Sequence, residues 1–131
     1  DANGKVTVKA PGVATITVKA AATTDYKATS KTVTVTVAPK KQRISLVNKI
    51  KKQLTIKWKK NTKASGYQVV YSTNKKFTGK KTVRKAKTTT SYKIKGLKKG
   101  KKYYVKVRSY KTVNGKRIYG AYSTAKKATI K

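Results

Sequence analysis

The residues of this chain best equipped for chemistry lie between positions 104 and 119. Tyr104, Lys106, Arg108 and Tyr110 recur at every second position, and Lys111, Lys116, Arg117 and Tyr119 follow closely. A strand turns alternate side chains to one face. Rings and cations are therefore expected to interleave on one outward surface, together with Gln68 and Val70 of a neighbouring strand. Lysines there attract phosphate or sulfate without discrimination, and tyrosine rings offer stacking or sugar platforms. The same alternation also makes an ordinary solvated strand surface, and the sequence leaves both readings open.

Composition excludes more than it assigns. The chain has 36 basic residues, four of them Arg, against two acids, Asp1 and Asp25, and it contains no His, Cys or Glu. Paired-carboxylate catalysis needs two carboxylates at a set separation, and nucleophilic triads need an activating base. Zinc sites need His or Cys, and calcium cages several carboxylates. None can be assembled here. A Ser activated by Lys is formally available, but lysine is so abundant that its proximity carries no information. The expectation is a non-enzyme with no cofactor, no metal and no small-molecule substrate.

The net charge of +34 points to anionic partners or to a solvated shell. Arginine is the residue of bidentate phosphate and guanine readout, whereas lysine acts as a point charge. An eight-to-one excess of Lys over Arg therefore argues against base-specific recognition. Polyanion affinity of this kind falls steeply with salt. The charge is also uneven: residues 1–40 carry net +4, and residues 41–131 carry 30 basic residues and no acid. Two segments are implied. No apolar run is long enough to span a bilayer as a helix, so no membrane insertion is expected. The opening Asp1-Ala2-Asn3-Gly4 does not read as a native start, and the chain reads as an excerpt of a longer one.

Periodicity supplies the elements that must hold these residues. Residues 5–10 and 13–20 alternate as strands around the turn dipeptide Pro11-Gly12, and Tyr26 to Val37 is a further alternating run with Val33, Val35 and Val37 on one face. Pro39 breaks the pattern and predicts a short, stiff linker over 39–42. Beyond it, strands are expected at 44–47, 53–59, 67–72, 81–85, 91–94, from 103 through 113, 116–122 and 128–130. Asn114-Gly115 is the strongest hairpin signal, because both positions accept positive φ in a type I′ turn. The predicted core is Trp58, Tyr67, Val69, Leu97, Tyr103, Val105 and Val107.

Two resemblances follow. DANGKVTVKAPGVATITVKA, through Gly4, Val6, Pro11, Gly12, Ala14, Thr15, Ile16 and Val18, resembles the C-terminal half of a bacterial immunoglobulin-like domain of group 2. It covers residues 1–38. Trp58, the GYQVVY segment, the corner Leu97, Gly100, Tyr103 and the hairpin at 114–115 together resemble a fibronectin type III domain over 43–131. Lys99 departs from the proline usual before the corner glycine, and the hairpin lacks Arg-Gly-Asp, so integrin binding by that route is not implied. The resemblance implies an all-β, immunoglobulin-like sandwich plus a partial immunoglobulin-like sheet. It also implies that Tyr103 is a folding device whose hydroxyl returns to upstream backbone.

Lysine-rich modules of this kind are similar to those in secreted or wall-associated surface proteins of Gram-positive gut bacteria, which sit beside neighbouring domains of a longer chain. That context implies an extracellular or cell-wall location and a non-catalytic spacer role, with anionic wall polymers as partners. The alternatives are an adhesin recognising anionic glycans through the Lys and Tyr face, and an unspecific nucleic-acid binder.

Overall fold

The computed structural model describes residues 5–131, and all of its regular elements are strands. Two of them stand apart as a hairpin, β1 (Gly12–Ala20) and β2 (Thr29–Val37), paired antiparallel with Ile16 opposite Val33. The register turns Ala14, Ile16, Val18, Val33, Val35 and Val37 to one face, and Thr15, Thr17, Thr32, Thr34 and Thr36 to the other. Val18 is 62% exposed and Val33 47%, so the apolar face of this two-stranded sheet is largely open.

Here the sequence expectation needs correction. Residues 5–10 form no strand, and Val6 and Val8 lie about as exposed as Val18. Alternation marks a residue pattern able to pair, but a strand exists only where a neighbour accepts its hydrogen bonds. The partner expected for residues 5–10, the run 13–20, pairs instead with β2. The second run also starts later than expected, at Thr29, because Tyr26 is held in a turn by hydrogen bonds from its amide to Thr23 Oγ1 and from the Thr23 amide to its carbonyl.

The remaining strands form two sheets. One contains β3 (Ile44–Val47), β4 (Leu54–Trp58) and β7 (Ser91–Ile94), in the order β3-β4-β7. The other runs β10-β8-β5-β6, from β5 (Gly66–Ser72), β6 (Lys81–Ala86), β8 (Lys102–Val113) and β10 (Lys126–Thr129), and β9 (Lys116–Tyr119) also pairs with β8. Every pairing is antiparallel. The core between the sheets is built from alternate residues: Leu54, Ile56 and Trp58 of β4, Tyr67 and Val69 of β5, and Val105 and Val107 of β8, with Ile44, Ile94, Leu97 and Ile130. Each large apolar side chain fully withdrawn from water contributes about 1.5–3 kcal/mol. The Trp58 ring lies 5.4 Å from that of Tyr67. Its indole N–H is buried without an acceptor among the described residues.

Local chemistry fixes the connections. Asn114 (φ 47°) and Gly115 (φ 75°) make the tight turn between β8 and β9. At the corner before β8, Leu97 is buried, Gly100 has φ 74°, and the Lys98 amide donates to the Tyr103 hydroxyl over 3.4 Å, a long hydrogen bond. Tyr103 itself is half-buried against the core. After Tyr119 the edge strand is interrupted. Tyr110 pairs with Tyr119 but Val105 with Lys126, so five steps on β8 are matched by seven on its partner. This is a bulge. Gly120 and Ser123 keep it attached: their amides donate to the Ser109 and Val107 carbonyls, and the Ser123 hydroxyl accepts from the Val107 amide.

The segment joining hairpin and sandwich lies against the sandwich. Pro39 and Gln42 are buried. The hydroxyl of buried Ser109 donates to the Lys40 carbonyl and accepts from the Gln42 amide, each at 3.3 Å. A Cβ on Gly120 would run into the Pro39 carbonyl. Glycine there is what lets the two backbones close.

Candidate functional site

The outward face of the larger sheet was the expected meeting place of rings and cations. Register places Gly66, Gln68, Val70 and Ser72 of β5 opposite Tyr110, Arg108, Lys106 and Tyr104 of β8, with Arg84 of β6 beyond Gln68. Although outward, Gln68 is only 7% exposed and Val70 0%. This face is covered by its own side chains.

The cover is a stack of alternating rings and cations. The Lys106 ammonium sits 4.1 Å from the centre of the Phe77 ring and 4.4 Å from that of Tyr122. The Arg108 guanidinium lies 4.3 Å from Tyr122 and 3.8 Å from Tyr119. Tyr119 in turn meets Tyr110 at 5.7 Å, and Arg117 reaches over Tyr110 at 5.6 Å. Gln68 Oε1 anchors the middle, accepting from Arg108 Nε at 2.7 Å and from the Tyr122 hydroxyl at 3.0 Å. Each such cation and ring pair is worth about 0.5–1 kcal/mol when exposed and more when desolvated. The stack also restrains cations that would otherwise repel one another.

Sequence periodicity did not bring two members of this stack to the face: Phe77 lies outside every expected strand, and an unbroken strand over 116–122 would turn Tyr122 away from Arg117 and Tyr119. Phe77 comes from the loop after β5, at φ 61°, an unfavourable conformation for a bulky residue. It is held there by its own amide bonding the Asn74 carbonyl, while the Ser72 hydroxyl donates to the Thr78 carbonyl and accepts from the Asn74 amide. A lone ring in a loop of Asn, Lys, Thr and Gly was the available signal. Tyr122 sits in the bulge, where no strict alternation applies.

The eight residues expected to act together do not all share one face. Tyr104, Lys106, Arg108, Tyr110, Arg117 and Tyr119 do. Lys111 pairs with Ile118 and Lys116 with Val113, so the register turns both to the opposite side. Of the three tyrosines in the set, Tyr110 and Tyr119 are engaged with cations of the same chain. Tyr104, half-buried opposite Ser72 and Lys127, has no cation over it and no ring beside it among the described residues.

Electrostatics single out Lys106. Burial first, then the charges of Lys80 and Arg108, hold its pKa below the ordinary lysine value. On the opposite face, burial and then Tyr92 and Tyr103 push the Tyr71 phenol up. No group of three or more His, Cys, Asp or Glu that could hold a metal ion occurs among the described residues. No helix among them is long and apolar enough to cross a membrane.

Similar structures share the architecture. The chain superposes on the FN1–FN3 domains of chicken CNTN1 with a TM-score of 0.59 and 21% identity, over 79% of this chain and 35% of that one. It thus spans about a third of that relative's length. It also superposes on the sixth fibronectin type III domain of human fibronectin type III domain containing protein 3, with a TM-score of 0.59 and 16% identity, over 73% of this chain and 89% of that one. These superpositions show a shared fold. No curated protein matches the sequence. The family model for the fibronectin type III domain matches residues 37–125. Such domains are generally non-catalytic binding or spacer modules of multidomain chains, typically extracellular. With this match over well more than half of its length, and with the two-sheet topology and tyrosine corner described above, the chain belongs to the fibronectin type III family.

Proposed function

We propose that the chain is a non-catalytic spacer and surface-association module of a secreted or wall-associated bacterial protein, whose basic shell is drawn to anionic wall polymers. The observation that carries this reading is a well-packed sandwich surrounded, over residues 41–131, by 30 basic residues and no acid. A shell of one sign destabilises the compact state by self-repulsion, and a bound polyanion relieves it. Within this reading residues 1–38 are half of an immunoglobulin-like unit and 39–42 join it to the domain of 43–131. The open apolar face of β1 and β2 supports that division, since a lone two-stranded hairpin is marginal in water.

The adhesin alternative draws less support. Tyr110 and Tyr119 already carry cations of their own chain on their rings and so are poor free platforms for sugars.

The test is the melting temperature of the full chain at low salt, with and without a poly(glycerol phosphate) teichoic acid. Binding to the folded state alone stabilises by about 2.7 kcal/mol when free ligand stands 100-fold above its Kd. A clear rise is the expected result. An unchanged melting temperature removes the reading's support.

A further inference from the structure

Resting on the wall-polymer reading, we infer that a linear phosphate-bearing polymer seats in one particular place: the shallow groove between the docked linker and the loop joining β4 to β5. Lys40, Lys41 and Arg43 line one wall, and Lys59, Lys60 and Lys63 line the other. The outward face of the larger sheet, where the sequence points first, is the weaker candidate, because Lys106 and Arg108 are spent on Phe77, Tyr119 and Tyr122.

Three features set the groove apart from the general basic shell. First, its cations converge on a concave surface from two segments far apart in sequence. Like charges gathered in this way repel one another, and a bound anion relieves that repulsion. Second, one wall is pinned. The Lys40 carbonyl accepts from Ser109 Oγ and Gln42 Nε2, and the Pro39 carbonyl closes on Gly120, so the backbone carrying Lys40 and Lys41 is ordered before any ligand arrives. Third, among the described residues the ammonium groups of Lys40, Lys41, Lys59 and Lys60 and the Arg43 guanidinium have no hydrogen-bond, ring or carboxylate partner. Lys63 is the exception, its ammonium donating to the Lys9 carbonyl.

The lining also selects the ligand class. Asn61 and Thr62 add side-chain amide and hydroxyl donors suited to phosphate oxygens, and Asn61 Oδ1 is already used by the Lys63 amide. No aromatic ring lines the groove. Single-stranded nucleic acid gains much of its affinity by stacking bases on rings, which this groove does not offer. Lysine point charges on a solvent-open trough fit a flexible chain of phosphates passing through, with no base or sugar read.

The experiment measures binding of long-chain inorganic polyphosphate, and of poly(dT) with the same number of phosphates, to the full chain at about 100 mM salt. The test variant carries Lys40→Gln, Lys41→Gln, Lys59→Gln and Lys60→Gln. The control carries Lys75→Gln, Lys76→Gln, Lys98→Gln and Lys99→Gln, equally exposed positions away from the groove. Phosphate contacts each steepen the salt dependence by nearly one unit of log affinity per log salt. The groove variant is therefore expected to lose at least about tenfold in polyphosphate affinity and the control less than about threefold. Equal losses in the two variants overturn the groove and leave a generic shell intact. A wild-type chain that does not bind polyphosphate even at about 50 mM salt overturns the wall-polymer reading itself. Poly(dT) binding tighter than polyphosphate, with that advantage lost in the groove variant, overturns the assignment to a ring-free phosphate chain.

Discussion

Changing Arg108 to Ala separates a structural stack from a binding face. The side chain donates from Nε to Gln68 Oε1 at 2.7 Å and lies on the rings of Tyr119 and Tyr122. A hydrogen bond from a charged donor is worth about 1.5–3 kcal/mol. Two cation and ring contacts at a half-buried position add about 0.5–1 kcal/mol each. Against this, removing one cation relieves repulsion from Lys106, and Gln68 Oε1 keeps the Tyr122 hydroxyl. The net expectation is a loss of about 2–3 kcal/mol. For a domain of this size that lowers the melting temperature by about 10–20 °C. Arg108→Lys is expected to lose roughly half as much, because an ammonium keeps the charge but not the planar stacking. The assay is urea denaturation of both variants beside wild type, paired with polyphosphate binding. Arg108→Ala with stability within about 0.5 kcal/mol of wild type but markedly weaker binding would refute the structural stack and restore this face as a ligand site.

Further outcomes follow from the same geometry. At Gly66 an added Cβ would stand 2.5 Å from the Tyr110 hydroxyl and 2.7 Å from the Lys85 carbonyl. Gly66→Ala is therefore expected to cost about 1–3 kcal/mol through overpacking, read by chemical denaturation, and a neutral result would contradict the close approach of the Lys85 carbonyl and the Tyr110 ring to Gly66. Lys106 is expected to lose its proton below the ordinary lysine value of 10.5 in an NMR titration, and titration at that value would contradict its partial burial against Phe77 and Tyr122. The sign for stability follows from proton counting. With the folded pKa below the unfolded value of 10.5, the unfolded chain binds more protons in between, so the Lys106 contribution rises with pH across that window and is flat below it. Tyr71 acts oppositely: its raised pKa makes its contribution fall as pH climbs through 10.0 and above.

Where structure repeats with period two, the sequence was readable. Leu54, Ile56 and Trp58 alternate with Thr55 and Lys57, and the first three are buried. Asn114-Gly115 gave the turn because few residue pairs tolerate two successive positive φ values. Alternation reports only which residues share a face, and the misses follow from that. It could not show that Val6 and Val8 lie outside any strand among the described residues. It could not show that Lys111 and Lys116, neighbours of the stack in sequence, turn away from it. Phe77 and Tyr122 were hidden because one enters from a loop and the other from a bulge, so their places depend on tertiary hydrogen bonds. The linker was legible as a break at Pro39, but not as a docked segment. That depends on Ser109 and Gly120, about 70 and 80 positions further along the chain.

The most direct test of the account is the affinity of the full chain for teichoic acid, heparin and duplex DNA, matched in charge, across salt from about 50 to 300 mM. A charge-driven shell predicts that all three fall steeply along nearly parallel lines of log affinity against log salt, with changes of Tyr104 and Tyr110 to Ala leaving the slopes and the ranking as they were. One ligand that persists at high salt, and loses that persistence when Tyr104 and Tyr110 are changed, would contradict the spacer account and make the tyrosine face a specific binding site.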